Sequence, residues 1–399
     1  VLWKINSSTT GFSRLGQTWS PPVTAQVRVD ATIRNVALFG GGYDDAEDAT
    51  AYRSADSRGN AVYMVDALTG ELLWRAGGGT GNNLNLTAMT HAIPAGLRVL
   101  DLDLDGLADR MYVGDMAGQV WRFDIHNGQP AASLVDGGVF ASLGGAAVTA
   151  PVPDSAARRF FATPDVARIV ANNRAYLSIN IGSGHRAHPL DTATDDQFFA
   201  LRDYKVLDTI ATASYPAPIQ VTDLVDITSD LAPTIAYNSP GWRMRLDLSA
   251  GEKVMTESLT FDNVVLFTSF TPGGQGDACV AAGGLNRLYL VSARDGSPVT
   301  NLDGSLNPDG SPDTALTADD RYRELNQGGI APDPAVFFSP PGGDLSNGDP
   351  VACLGDNCDD NQQGNSDGSQ PTLCIGVECF DPGFANPPRR THWNQDGTE

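Results

Sequence analysis

Positive charge is scarce in this chain. Lys and Arg together number 26 against 48 Asp and Glu, for a formal net charge of −22 over 399 residues. A surface this acidic repels nucleic acid and anionic lipid, so roles that track phosphate backbones or membrane surfaces are disfavoured, while a metal cation or a basic partner suits it. The same acidity also keeps an exported protein soluble. Long apolar runs are missing too, since no stretch reaches the roughly 20 residues of a membrane span. Histidine is limited to five residues: His91, His126, His185, His188 and His392. His185 and His188 flank Arg186 in a loop, and neither a cysteine nor a third histidine stands nearby to complete a zinc site. Gly182-Ser183-Gly184 is no nucleophile elbow, and Gly77 to Gly81 lacks the Lys-Ser/Thr of a phosphate loop. No catalytic constellation is present, and the expectation is a non-enzymatic protein.

What is abundant is turn chemistry. The chain carries 43 Gly and 25 Pro, a density that punctuates many short strands, and helical periodicity is nearly absent. One pattern recurs. Val36 to Tyr43 leads to Ala61–Gly70 and Glu71–Arg75, and Arg110–Asp115 leads to Gln119–Asp124. Ala175–Gly184 leads to Gln197–Asp203, and Asn263–Phe270 leads to Arg287–Gly296. Each copy alternates apolar residues with period two, begins with a run that tends to end in small residues, and turns at Asp or Gly. Recurrence at intervals of roughly 50 to 90 residues predicts blades that bury their faces against one another, with loops of unequal length inserted between strands. The expected fold is an all-β, modified β-propeller that occupies residues 1–399 as one domain. Val1 to Ile5 reads as a strand already under way, completing a split blade, and implies a longer precursor. Residues 162–170 suit either a short helix or a strand.

Five cysteines occur. Cys353, Cys358, Cys374 and Cys379 pair off at equal spacing within a Gly-, Asp- and Asn-rich segment, and two local disulfides are expected to staple a loop-rich insert over 339–380. Cys279 is left over.

The sharpest chemical signal is Asp101-Leu-Asp103-Leu-Asp105-Gly106-Leu107-Ala-Asp109. Ca²⁺ takes six to eight hard oxygen ligands, and aspartates at positions 1, 3 and 5 of a tight loop can all turn inward. Gly106 permits the bend, the carbonyl of Leu107 offers a further ligand, and Asp109 closes the cage. Position 12 is Tyr112 where an EF-hand has a bidentate Glu, and a strand follows where an EF-hand has a helix. The predicted metal ligands are therefore Asp101, Asp103, Asp105, Leu107 and Asp109, with the affinity of an extracellular site.

These features, in this order, resemble the C-terminal propeller of the PilY1 family of type IV pilus biogenesis proteins. The carriers are Phe39 to Tyr43, Val62 to Asp66 with Thr69-Gly70, Asp101 to Asp115 running into Val120–Asp124, Ile181 to Pro189, Phe198–Asp203, Gly241-Trp242, Gly251-Glu252 and Phe267 to Pro272. The resemblance implies about seven blades and one calcium site on the loop above. It further implies export to the cell surface, pilus tip or outer membrane, minor pilins and other pilus assembly proteins as partners, contact with host or abiotic surfaces, and a part in adhesion and in the balance of pilus extension and retraction that drives twitching. No Arg-Gly-Asp occurs. A quinoprotein-dehydrogenase-like propeller is the main alternative, although such enzymes often carry adjacent cysteines and none are present here. An integrin-like propeller with purely structural calcium is another.

Overall fold

The computed structural model describes residues 2–49, 54–145, 155–171, 173–273, 283–307, 309–311, 313–338 and 371–380. Among them there is no α-helix, and the strands form five sheets. The first sheet runs in chain order through β1 (Val23–Val29), β2 (Thr32–Gly40), β3 (Ala61–Asp66), β4 (Leu72–Gly77) and β5 (Leu84–Asn85). The second contains β6 (Arg98–Leu100), β7 (Arg110–Gly114), β8 (Gln119–Ile125) and β9 (Val135–Ser142), with β13 (Ile219–Gln220) added parallel to β9. In the third, β10 (Asp165–Ala171), β11 (Arg174–Gly182) and β12 (Gln197–Asp203) are followed by β15 (Gly241–Arg245) and β14 (Val225–Asp226). The fourth is built on β18 (Val264–Thr271) and β19 (Leu285–Ser292), with β16 (Lys253–Val254), β17 (Leu259–Phe261) and β20 (Tyr322–Leu325). The fifth joins β21 (Ala335–Phe338), β22 (Pro371–Ile375) and β23 (Glu378–Phe380).

The four repeat copies found in the sequence supply the paired central strands of the first four sheets: β2 with β3, β7 with β8, β11 with β12, and β18 with β19. Period two explains how each sheet is buried on both sides. Val36 and Leu38 turn toward the second sheet and pack with Met111, Val113, Trp121 and Phe123. Tyr112 and Val120 point the other way, against Ile179, Ile181 and Phe199 of the third. Phe198 and Trp242 then meet Phe267 and Tyr289 of the fourth, with the Phe198 and Phe267 rings stacked at 3.9 Å. Leu266 and Leu290 close on Leu373 and Ile375 of the fifth. Each sheet thus uses its neighbour as the second half of its core, the condition under which blades are stable. Five sheets stand among the described residues, where the resemblance implied about seven blades.

Small residues at the ends of the repeated strands have a steric reason. A Cβ on Gly40 would lie 2.4 Å from the Ile93 carbonyl oxygen, one on Gly114 would lie 2.6 Å from Phe160 Cβ, and one on Gly182 would lie 2.4 Å from Val254. At these three equivalent places the chain entering the next sheet crosses directly over the strand end.

One expectation is corrected. Residues 2–5 form no strand. Instead the Trp3 indole N–H donates to the Ala67 carbonyl at 3.0 Å, and Trp3 and Ile5 cover the outer face of the first sheet beside Phe39, Tyr63 and Val65. That face needs an apolar lid and takes it from side chains. Of the segment 162–170 that suits a helix or a strand, residues 165–170 belong to strand β10, which is paired along its whole length with β11. Of the expected 339–380 insert, residues 371–380 form the β22–β23 hairpin, closed by the Cys374–Cys379 disulfide. Cys279, Cys353 and Cys358 lie outside the described residues.

Candidate metal centre

The acidic segment is the connection between β6 and β7, at the exposed edge of the second sheet. Its base is held from both sides. The Ala108 N–H donates to the Gln26 carbonyl on β1 at 2.8 Å, and Asn127 Nδ2 donates to the Ala108 carbonyl at 3.0 Å. The Asp109 N–H reaches the Leu100 carbonyl at 2.8 Å, and the Asp109 carbonyl accepts from the Ile125 N–H at 2.7 Å. Above that base the chain is shaped by its own aspartates. Asp101 accepts from the N–H groups of Leu104 (2.7 Å) and Gly106 (2.9 Å), Asp103 from Asp105 (3.1 Å), and Asp109 from Leu102 (2.6 Å). Two positive φ angles, Leu104 at 66° and Gly106 at 89°, let the loop double back.

This folding brings Asp101, Asp103 and Asp109 together, with one carboxylate oxygen from each lying within 4.8 Å of the others. Asp105 is not part of that group; its Oδ1 accepts from the Leu107 N–H at 2.8 Å. Leu107 buries its side chain under the loop. Burial raises the Asp109 carboxyl above its ordinary pKa, opposed by the Leu102 N–H and reinforced by the charges of Asp103 and Asp101. No Lys or Arg forms an ion pair with these aspartates among the described residues. Three hard oxygen donors on a braced loop, without a cationic side chain, fit an oxygen-seeking divalent ion such as Ca²⁺ better than a soft metal.

A second polar assembly starts at the next residue and has no counterpart in the sequence reading. Arg110 Nε donates to Asp124 Oδ1 at 2.7 Å, and Arg122 Nη2 reaches both oxygens of Asp124 at 3.0 Å. Arg122 Nη1 also meets Asp203 Oδ2 at 2.6 Å, as does the Tyr112 hydroxyl. Arg110 continues to the carbonyls of Lys205, Val206 and Asp208 in the connection that follows β12. All five side chains are buried. The network clamps the second sheet to the third, directly beneath the acidic loop. Its signal in the sequence was charge in the middle of strands patterned for burial.

His185 and His188 stay a loop pair. Their rings lie 4.6 Å apart, and burial, aided by Arg159, lowers the His185 pKa to about 2.

No family model matches the chain. It is 24% identical over 371 residues to the type IV pilus biogenesis factor PilY1 homolog of Xylella fastidiosa, covering 85% of this chain and 23% of the relative. Against the type IV pilus biogenesis factor PilY1 of Pseudomonas aeruginosa the identity is 29% over 126 residues, 31% of this chain and 9% of the relative. The solved P. aeruginosa PilY1 C-terminal domain superposes with a TM-score of 0.57 at 17% identity, covering 95% of this chain and 75% of that one. The chain is similar to the PilY1 C-terminal domain. It spans less than a quarter of the length of the X. fastidiosa PilY1 homolog. The likeness in fold to the PilY1 domain extends over nearly the whole chain. No helix among the described residues is long and apolar enough to cross a membrane.

Proposed function

We propose that this chain is a non-enzymatic, calcium-binding module of type IV pilus biogenesis. It works outside the cytoplasm, at the cell surface or pilus tip, with minor pilins and assembly proteins as partners, and its calcium loop biases pilus extension against retraction and surface adhesion. Both curated relatives are named as pilus biogenesis factors, which supports the pilus part of this reading. The calcium part rests on one observation, the meeting of the Asp101, Asp103 and Asp109 carboxylates on a loop braced at Ala108 and Asp109. These three residues would hold the ion, with Asp105 and the Leu107 carbonyl as the further candidates. A bound divalent cation supplies the charge that offsets the mutual repulsion of the carboxylates. The loop runs straight into Arg110, so a change in its order is passed to the clamp between the second and third sheets.

Calorimetric titration with Ca²⁺ and with Mg²⁺ tests the site. One saturable Ca²⁺ site with a dissociation constant of roughly micromolar to millimolar is expected, lost in Asp101→Ala and Asp103→Ala with circular dichroism unchanged. Equal heats from the wild type and Asp101→Ala would overturn the calcium reading. Introduced into the full-length protein, Asp101→Ala is expected to alter twitching more than protein abundance; equal losses of both would mean misfolding.

A further inference from the structure

A cavity of about 540 Å³ opens where connections from several sheets meet. Trp19 comes from the segment before β1, Tyr43 and Asp48 from the connection after β2, and Phe161 from the segment entering β10. Glu257 lies between β16 and β17, and Asp333 just before β21. The volume is that of a pocket for a small molecule or a few peptide residues.

Its chemistry is one-sided. Tyr43 and Phe161 pack with ring centroids 5.5 Å apart, and Trp19 stands 71% exposed at the rim. Aromatic faces attract cations. The carboxylates face weak competition. Asp48 accepts from the Tyr43 hydroxyl at 2.7 Å, Asp333 accepts from the Glu257 N–H at 2.8 Å, and Glu257 meets Arg98 only at 3.9 Å. Arg186 is the one basic lining residue, and it donates to the Met255 carbonyl at 3.3 Å. With three carboxylates and one guanidinium in the lining, and Arg98 as the further guanidinium beside Glu257, the balance stays acidic in a chain of net charge −22, and an anionic or purely apolar ligand is disfavoured.

We propose that this cavity receives a lysine or arginine side chain presented by an extended segment of a partner protein. The aromatic rings take the aliphatic stem and one face of the charge, and Glu257 and Asp333 take the charge itself. Trp19, outside the cavity's depth, offers a surface for the flanking residues. The inference adds the chemistry of a partner contact to the proposed function, and it does not require calcium.

The test uses the intact chain with calcium chelated, so that its failure leaves the metal loop unaffected. The probes are terminally blocked Ala-Lys-Ala, Ala-Arg-Ala and Ala-Glu-Ala, followed by NMR of the Trp19 indole, which is assigned by its loss in Trp19→Ala. Saturable shifts are expected with the Lys and Arg peptides and none with the Glu peptide, weakened at about 0.5 M salt. The double variant Glu257→Gln, Asp333→Asn should lower the affinity for the Lys peptide about tenfold. Arg186→Ala should raise that affinity, a result no misfolded variant can give. Equal response to the Glu peptide, or unchanged affinity in the double variant, would overturn the proposal.

Discussion

Two groups of aspartates, one on the β6–β7 loop and one in the clamp that begins at Arg110, are treated in opposite ways. Asp124 and Asp203 lie in the interior, and every strong donor near them is a guanidinium, a tyrosine hydroxyl or a backbone N–H already in place. Asp101, Asp103 and Asp109 sit on a loop and receive only backbone N–H groups. The first group is compensated within the chain and serves the joint between two sheets. The second has no cationic side chain paired with it among the described residues. Both burial and neighbours separate the two groups.

The contrast can be broken most forcefully at Arg122. Arg122→Met takes from the buried Asp124 and Asp203 the guanidinium they share, leaving Arg110 on one and the Tyr112 hydroxyl on the other, and a loss of about 3–5 kcal/mol is expected, read as a lower denaturant midpoint. A loss under about 1 kcal/mol would mean that the clamp is no more than a surface-type pair.

Asp196 is an intermediate case. It is buried, accepts from the Ser183 hydroxyl at 2.6 Å, and faces Lys253, Arg158 and Asp191. Burial lifts its pKa to about 6, against the lowering effects of Ser183, Lys253 and Arg158. The folded state therefore holds this proton more tightly than the unfolded chain. The contribution is complete below about pH 4 and fades as the pH climbs through about 6. Asp196→Asn should gain on the wild type across that window, by on the order of 1–3 kcal/mol, seen as diverging thermal midpoints. Parallel midpoints from pH 4 to 8 would show Asp196 to be fully compensated.

The smallest effect belongs to the loop. Asp109→Asn in the absence of calcium should leave stability within about 0.5 kcal/mol of the wild type, or raise it, because one of three like charges is removed. The same variant should lose calcium binding. A large loss of apo stability would place Asp109 with Asp124, as a structural residue.

Much was legible before the fold was seen, because it depends on near neighbours in the chain. The period-two runs at 36–43, 110–115, 175–184 and 263–270 became central strands, since alternation alone decides which side chains share a face. The aspartate spacing of 101–109 pointed to the loop, since a tight turn places such residues together. Asp105 stands apart from the Asp101, Asp103 and Asp109 group, with its Oδ1 accepting from the Leu107 N–H, a local bond that spacing does not reveal. Val1 to Ile5 was read as a strand because apolar alternation is the same for a strand and for a lid of side chains.

Sequence by itself thus determined the strands, the four repeats and the acidic loop, each an outcome of short-range geometry. Tertiary structure alone decided which charged residues meet. Arg122 and Asp203 are 81 residues apart, and Trp19 and Asp333 line one cavity from opposite ends of the described chain. No local pattern encodes such meetings, because they depend on how whole sheets stack and where their connections cross.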